Sequence, residues 1–411
     1  MGSVESLSAQ LIGEQQSGNP SRQHCYNHEG NQTPEVLLQI ETRAGKMLAL
    51  KQTWHFLQES LDSNSGLPVD RTALTSKKER TRFEVTSPTN IGLALVSISE
   101  AVRLRLCGES DGSKMIEKIV DFVDSARREY GFLPNWHCTK TGEVITKWLE
   151  NKHSLPLFLS SVDNGWLAVG LLITKKQFPK LNERIDRILA RMDFNSFYNQ
   201  DAHNFYGGYF VKKEKMTDWL YNSKYLSETR ILYYVAFILE QLKQADLALA
   251  TDRLPNRTYG GSIFEALMPA LFVEEGANAE SIFQLVIQRQ KDVAENNGGF
   301  WGFSPCVNPN GKYKEFGVGN YRENGFNVIT PHALILAMRF APLDATKALS
   351  KIIGQYPEIW SDKGFFDSVD VKKGKIAKTW LFLDQTLIFL SLVNLLENDS
   401  LRRNFTKLLK T

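Results

Sequence analysis

"NIGLALVSISEAV" (90–102) and, one short linker later, "SKMIEKIVDFVDSARREY" (113–130) set the terms for the fold. Both have helical spacing, with apolar positions recurring every three or four residues. The first is apolar nearly all round, which a helix tolerates only when it is enclosed. The second carries one apolar stripe and one charged face, the pattern of a helix with its back to water. An enclosed helix followed by an exposed companion is therefore the unit to look for elsewhere.

The unit recurs. Helical spacing runs through 34–61, 88–106, 113–129, 161–175, 180–191, 224–243, 262–274, 278–295, 331–340, 343–355, 381–396 and 399–410. The helices starting at 88, 161, 224, 262, 331 and 381 are the nearly all-apolar ones, as in "NGWLAVGLLI" and "LFLDQTLIFLSLVNLL". Strand signals are few and short: "GGYFV" (207–211), "GFFDSVDV" (364–371) and "FEVT" (83–86). Six enclosed helices, each with an exposed partner, imply two concentric rings, an all-α (α/α)6 barrel. An irregular helical bundle and an open solenoid of helix pairs compete with it, but no short repeat supports the solenoid. The barrel is expected to form one domain over 34–411, after a loose polar tail at 1–33 that is rich in Gln, Ser, Asn and Gly.

Apolar residues make up 42% of the 411 and charged ones 23%, the balance of a globular protein. Net charge is +3 and the Lys and Arg residues form no basic stripe, so nucleic acid is not an expected partner. No segment approaches the ~20 uninterrupted apolar residues of a membrane span. Cys25, Cys107, Cys138 and Cys306 lie far apart, with no CxxC. Free thiols in a reducing compartment is the simpler reading, and with no signal-peptide pattern at the start a cytoplasmic protein is expected. There is no phosphate-binding glycine loop and no ligand spacing, so neither cofactor nor metal is expected.

The residues hardest to explain as core collect where the enclosed helices begin: "TSPTN" (86–90), "SSVDNGW" (160–166), "YLSETR" (225–230), "YGGSIFE" (259–265), "VITPH" (328–332) and "LDQT" (383–386). In a double ring these ends open at one mouth. The long connections 131–159, 196–223 and 296–330 run into the same ends and carry Trp136, Trp148, Tyr206, Trp219, Tyr221, Trp301 and Tyr321. An apolar well rimmed by aromatics and lined by carboxylates suits a carbohydrate or similar small molecule.

Asp163, Glu228 and Glu265 stand at the same level on three different enclosed helices. Hydrolysis of a glycosidic bond needs two carboxyl groups, one protonated to donate to the leaving oxygen and one ionised to activate water or attack the sugar. Helix N-termini favour the ionised form, so Asp163 suits the base and Glu228 or Glu265 the acid. Each also has a structural reading. "SSVD" and "SIFE" fit the capping box, in which the carboxylate reaches back to a backbone N–H, and Glu228 could form a buried ion pair with Arg230. His332, in "TPH", is either a helix-start residue or a substrate contact. Pro269 lacks the N–H that would bond the Glu265 carbonyl, so that helix is expected to loosen there. The candidate substrate-binding residues are Asn90, Trp136, Trp166, Trp219, Tyr221, Arg230, Tyr259, Trp301 and His332.

"TSPTNIGLALVS", "SSVDNGWLAVGL", "YLSETRILYYVAF", "YGGSIFEALMPALF", "GGFWGFSP", "ITPHALILAMRFAP" and "GFFDSVD", followed by "LDQ", run in order along the chain. Together they resemble the bacterial glucoamylase-like family, which includes endo-β-1,2-glucanases and the cyclising domain of cyclic β-1,2-glucan synthases. The resemblance spans about residues 45–405 and implies an (α/α)6 barrel with its site at the mouth. It also implies pocket roles for Asp163, Glu228 and Glu265, and a place for Trp301 in a "WG" loop. One departure stands out: Trp166 occupies a position, one turn after Asp163, where the endo-β-1,2-glucanase branch has a glutamate. The loop "CVNPNGKYKEFGVGNYRENGF" fits an uncharacterised branch. A glycoside hydrolase or transglycosylase acting on a glucan-like oligosaccharide or glycoconjugate is the function expected. A lyase, epimerase or cyclase on the same barrel, or a catalytically silent glycan-binding protein, are the alternatives.

Overall fold

The computed structural model describes residues 38–75 and 79–410; the expected tail 1–33 lies outside them. Thirteen α-helices are found among the described residues. They are α1 (Arg43–Glu59), α2 (Pro88–Arg103), α3 (Glu109–Ser125), α4 (Ser161–Gln177), α5 (Asn182–Leu189), α6 (Ile231–Ile238) and α7 (Gln244–Asp252). There follow α8 (Ile263–Leu267), α9 (Gly276–Ala294), α10 (Pro331–Ala337), α11 (Pro342–Gln355), α12 (Phe382–Leu396) and α13 (Ser400–Thr406).

The ring closes. Helices α2, α4, α6, α8, α10 and α12 contact one another in that order, partly through the short 3-10 turn that leads into α6, and α12 returns to α2. Each has an outer companion packed on it: α3 on α2, α5 on α4, α7 on α6, α9 on α8, α11 on α10 and α1 on α12. The alternation of apolar and striped helices thus predicts the (α/α)6 barrel correctly, and neither an open solenoid nor an irregular bundle forms. In α2 every residue from Pro88 to Ala101 is buried, whereas α3 buries only Gly112, Ile116, Ile119, Val120 and Val123 along one stripe.

Close packing at one crossing is set by glycine. A Cβ on Gly92 would fall 2.2 Å from the Trp166 carbonyl oxygen, and one on Gly170 would fall 2.3 Å from the Gly92 carbonyl oxygen. The backbones of α2 and α4 therefore touch, which a side chain at either position would prevent. This contact holds Thr89 and Asp163, at the starts of the two helices, beside each other.

Several boundaries differ from those expected. Of the helix expected over 34–61, residues 34–37 lie outside the described residues, and the helix seen among the rest runs Arg43–Glu59, capped by the Thr42 side chain, which accepts from the Gly45 N–H. Helix 224–243 shrinks to a 3-10 turn (Glu228–Arg230) and α6, and α7 appears in a stretch with no strong stripe. Helix 262–274 breaks after Leu267 and resumes as a 3-10 turn from Pro269, as the missing proline N–H requires.

Short strands sit at the mouth and feed the inner helices. Val85–Thr86 leads into α2, Phe158–Ser160 into α4, Val328–Ile329 into α10 and Thr379–Leu381 into α12. The last of these pairs antiparallel with Arg71–Leu74, which pairs in turn with Arg80–Phe83. That hairpin, remote in sequence from α12, forms one wall of the opening.

Candidate active site

The mouth is a cleft with about 1020 Å³ of empty space, counted out to its open side. Its polar lining includes Asp163, Glu228, Asp70, Asn90 and Thr89, and its apolar lining includes Trp136, Trp148, Phe83, Trp166 and Phe264. The aromatics brace each other: Trp136 and Trp148 meet edge-on at 5.1 Å, and Phe83 lies 5.2 Å from Trp148. Arg71 stacks over Phe83 at 4.8 Å and forms an ion pair with Glu150, so the hairpin wall is tied to the long connection opposite.

Asp163 stands in the first turn of α4, which starts there because the Ser160 side chain accepts from the Asp163 N–H at 3.2 Å. Its Oδ1 accepts from the Thr89 hydroxyl at 2.6 Å, while the residue stays half-buried and open to the cleft. Burial pushes the carboxyl above its usual range, and the bonds from Ser160 and Thr89 pull it back. The capping reading is therefore half right: the main chain of Asp163 is capped, yet its carboxylate faces the cleft.

Glu228 opens the 3-10 turn before α6, and only 6% of it is exposed. Burial pushes its carboxyl up to about 8, with Glu265 and Asp163 adding like charge and Arg230 opposing. The ion pair with Arg230, the structural alternative for this residue, does not form. The Arg230 guanidinium bonds Glu275 at 2.7 and 3.0 Å, and also the carbonyls of Ser227, Glu265 and Ala266. Arg230 is thus a fully engaged strut between inner helices, absent from the cleft lining. The apolar wall around Glu228 favours the protonated form of its carboxyl.

Glu265 is arranged differently. Its carboxylate accepts from the Gly260 N–H at 3.0 Å, the Ser262 N–H at 3.1 Å and the Ser262 hydroxyl at 2.7 Å. Ser262 caps the Glu265 N–H in return, completing the capping box. Glu265 is buried but does not line the cleft. Burial pushes it up and these bonds oppose that. Donors around a carboxyl stabilise its ionised form, which is a poor setting for a proton donor.

Of the other candidates, Asn90, Trp136, Trp166 and Tyr221 line the cleft, and Trp219, Tyr259, Trp301 and His332 do not. Asn90 donates to Asp70 Oδ1 at 2.9 Å. Trp166 forms part of the floor, backed by Phe272 at 5.4 Å. Trp219 covers Gly207, where a Cβ would fall 2.2 Å from its Nε1. Tyr259 is packed edge-on against Tyr225 and Tyr321, and Trp301 is core. His332 lies under the wall, its Nδ1 3.2 Å from Asp384 Oδ2. Although the sequence has no metal-ligand spacing, the fold gathers His332, Asp367 and Asp384 within 4.8 Å of one another. Sequence reasoning passed over Asp70, Arg71, Phe83 and Glu150. Asp70, Arg71 and Phe83 are brought there by the pairing of 71–73 with 379–381, which no local pattern marks, and Glu150 meets them through its ion pair with Arg71.

A closed double ring of inner and outer helices with a carboxylate-lined mouth defines an (α/α)6-barrel protein. Residues 253–408 match the family described as "Putative glucoamylase". Residues 49–253 match a family described as "Protein of unknown function (DUF3131)". No curated protein matches the sequence. Among solved structures, the endo-β-1,2-glucanase of Chitinophaga pinensis, in complex with sophorotriose and glucose, is similar at TM-score 0.73 and 17% identity over 90% of this chain and 95% of that one. The endo-β-1,2-glucanase of Talaromyces funiculosus, in complex with sophorose, gives 0.63 and 13% over 91% and 92%. The cellobiose 2-epimerase of Spirochaeta thermophila gives 0.54 and 10% over 89% and 99%. At such identities these likenesses speak to the fold.

Proposed function

We propose that this protein is a glycoside hydrolase or transglycosylase acting on a glucan-like oligosaccharide or glycoconjugate, through metal-independent acid/base chemistry. The observation that carries the reading is a pair of unlike carboxyl groups in one aromatic-walled cleft. Glu228 is held protonated to about 8 by its apolar surroundings, and Asp163 is held by Thr89 at a helix start. Glu228 is the proton donor to the leaving glycosidic oxygen, and Asp163 is the carboxylate that activates water or an acceptor hydroxyl. Trp136, Trp148 and Phe83 offer ring faces to sugar planes. The sophorotriose and sophorose held by the two structurally similar glucanases support a short glucan as the ligand class. Glu265 is assigned a positioning role: it fixes the start of α8, and its negative charge helps to raise Glu228.

Residues 34–411 are taken as a single catalytic domain. Among the described residues no helix is long and apolar enough to cross a membrane. The free thiols of Cys107, Cys138 and Cys306 support a cytoplasmic site of action.

A screen of linkage-defined α- and β-glucans for reducing-sugar release tests the reading, with Glu228→Gln and Asp163→Asn beside the wild type. Release by the wild type and its loss in both variants is the expected result. A second reading, a non-hydrolytic epimerase or lyase, is favoured by Trp166 lining the floor, and the similarity to a cellobiose epimerase supports it. It predicts conversion of a disaccharide with no gain in reducing ends, read by NMR. Binding without any conversion would leave a glycan-binding protein.

A further inference from the structure

Behind the cleft wall lies a polar group with no part in the proposed chemistry. His332 is the second residue of α10, Asp367 immediately precedes the strand Ser368–Asp370, and Asp384 is in the first turn of α12. Their exposures are 1%, 2% and 4%, so all three are withdrawn from water. A ligand atom from each lies within 4.8 Å of those from the other two.

These atoms are poorly satisfied. Both ring nitrogens of His332, Asp367 Oδ1 and Asp384 Oδ2 are buried without a hydrogen-bond partner. The 3.2 Å approach of His332 Nδ1 to Asp384 Oδ2 is a contact that lacks hydrogen-bond alignment. Asp367 Oδ2 does accept, from the Val307 N–H at 2.5 Å. Ion-pair contacts of the group among the described residues are confined to His332 with Asp384, so no Lys or Arg balances the two carboxyls. Asp367 and Asp384 can bond each other only with one of them protonated, and that leaves both ring nitrogens of His332 unpaired; a common partner would satisfy all three side chains.

We propose that His332, Asp367 and Asp384 bind a divalent transition-metal ion of the Zn²⁺ or Mn²⁺ kind. A dication offsets two carboxylates, and one imidazole nitrogen with carboxylate oxygens is a donor set that suits these ions better than the all-oxygen preference of Ca²⁺ or Mg²⁺. The starts of α10 and α12 present their positive ends here, and two carboxylates are what makes a cation acceptable there. Val307, bonded to Asp367, and Leu383, next to Asp384, both line the cleft. The ion therefore ties α10, α12 and the residue that leads into the Ser368–Asp370 strand together beneath the wall.

The full chain, stripped with a chelator and then dialysed against Zn²⁺ or Mn²⁺, supplies the test. Metal retained after gel filtration is counted by mass spectrometry, and the melting temperature is read with and without metal. The wild type should retain about one ion per chain and melt higher when loaded. Asp367→Asn and His332→Gln should retain less than a tenth of that and show no metal-dependent shift. Should a variant fail to fold, the wild-type stoichiometry and shift still decide. A wild type that retains no Zn²⁺ or Mn²⁺ overturns the proposal, and so does equal retention by either folded variant. A wild type that binds neither ion but melts higher as pH falls would mark the group as a proton-sharing carboxyl pair instead.

Discussion

Two sides of the same mouth treat their acids in opposite ways. On the α2–α4–α6 side, Asp163 and Glu228 start helices and still turn their carboxyls toward the cleft. On the α8–α10–α12 side, Glu265, His332 and Asp384 also lie in the first turns of their helices, yet all are buried and none lines the cleft. The difference comes from local donors. Glu265 has the Gly260 and Ser262 N–H groups and the Ser262 hydroxyl within reach, and spends its charge on them. Asp163 takes bonds from Ser160 and Thr89 but stays half-buried and still lines the cleft. A helix-start acid becomes reactive only where its neighbours leave it underused.

That contrast can be broken most forcefully at Glu228. Glu228→Gln removes the proton donor and is expected to lower kcat/KM by roughly 10²–10⁴, as for a lost general acid; steady-state rates check it. The same group predicts the alkaline limb. Activity requires the protonated form, so kcat/KM should fall about tenfold per pH unit above a value near 8. Stability follows the same sign. A carboxyl whose pKa is raised on folding contributes most below its unfolded value, and that contribution is lost as pH rises to about 8. Glu228→Gln should therefore melt higher than the wild type at pH 9, by scanning calorimetry, and no higher at pH 4.

Smaller effects sharpen the comparison. Glu265→Gln disrupts a complete capping box and should cost about 1–2 kcal/mol in chemical denaturation, with activity per folded molecule within about tenfold of wild type. Thr89→Val removes one hydrogen bond to a carboxylate and should cost about 1.5–3 kcal/mol of Asp163 orientation. It would read as a fall in kcat with little change in KM.

Much of the fold was legible because it rests on local patterning. The all-apolar α2, α4 and α12 and the single stripe of α3 announce inner and outer positions without any tertiary knowledge. The site was legible in part. Ser160 and Ser262 predict caps that do form, and the motif "SSVD" led to a residue that lines the cleft. Pairing across the chain was not legible. Whether Arg230 would bond Glu228 or Glu275 depends on where α9 begins, and the hairpin wall with Asp70, Arg71 and Phe83 depends on a strand some three hundred residues away. Nor could spacing show that His332, Asp367 and Asp384 converge, since each belongs to a different segment.

The central claim is that Glu228, and not Glu265, gives up the proton. Glu228→Gln and Glu265→Gln, assayed side by side on a glucan the wild type cleaves and corrected for folded fraction, test it directly. The account predicts at least a hundredfold loss for Glu228→Gln and a loss within tenfold for Glu265→Gln. A dead Glu265→Gln beside an active Glu228→Gln would contradict it.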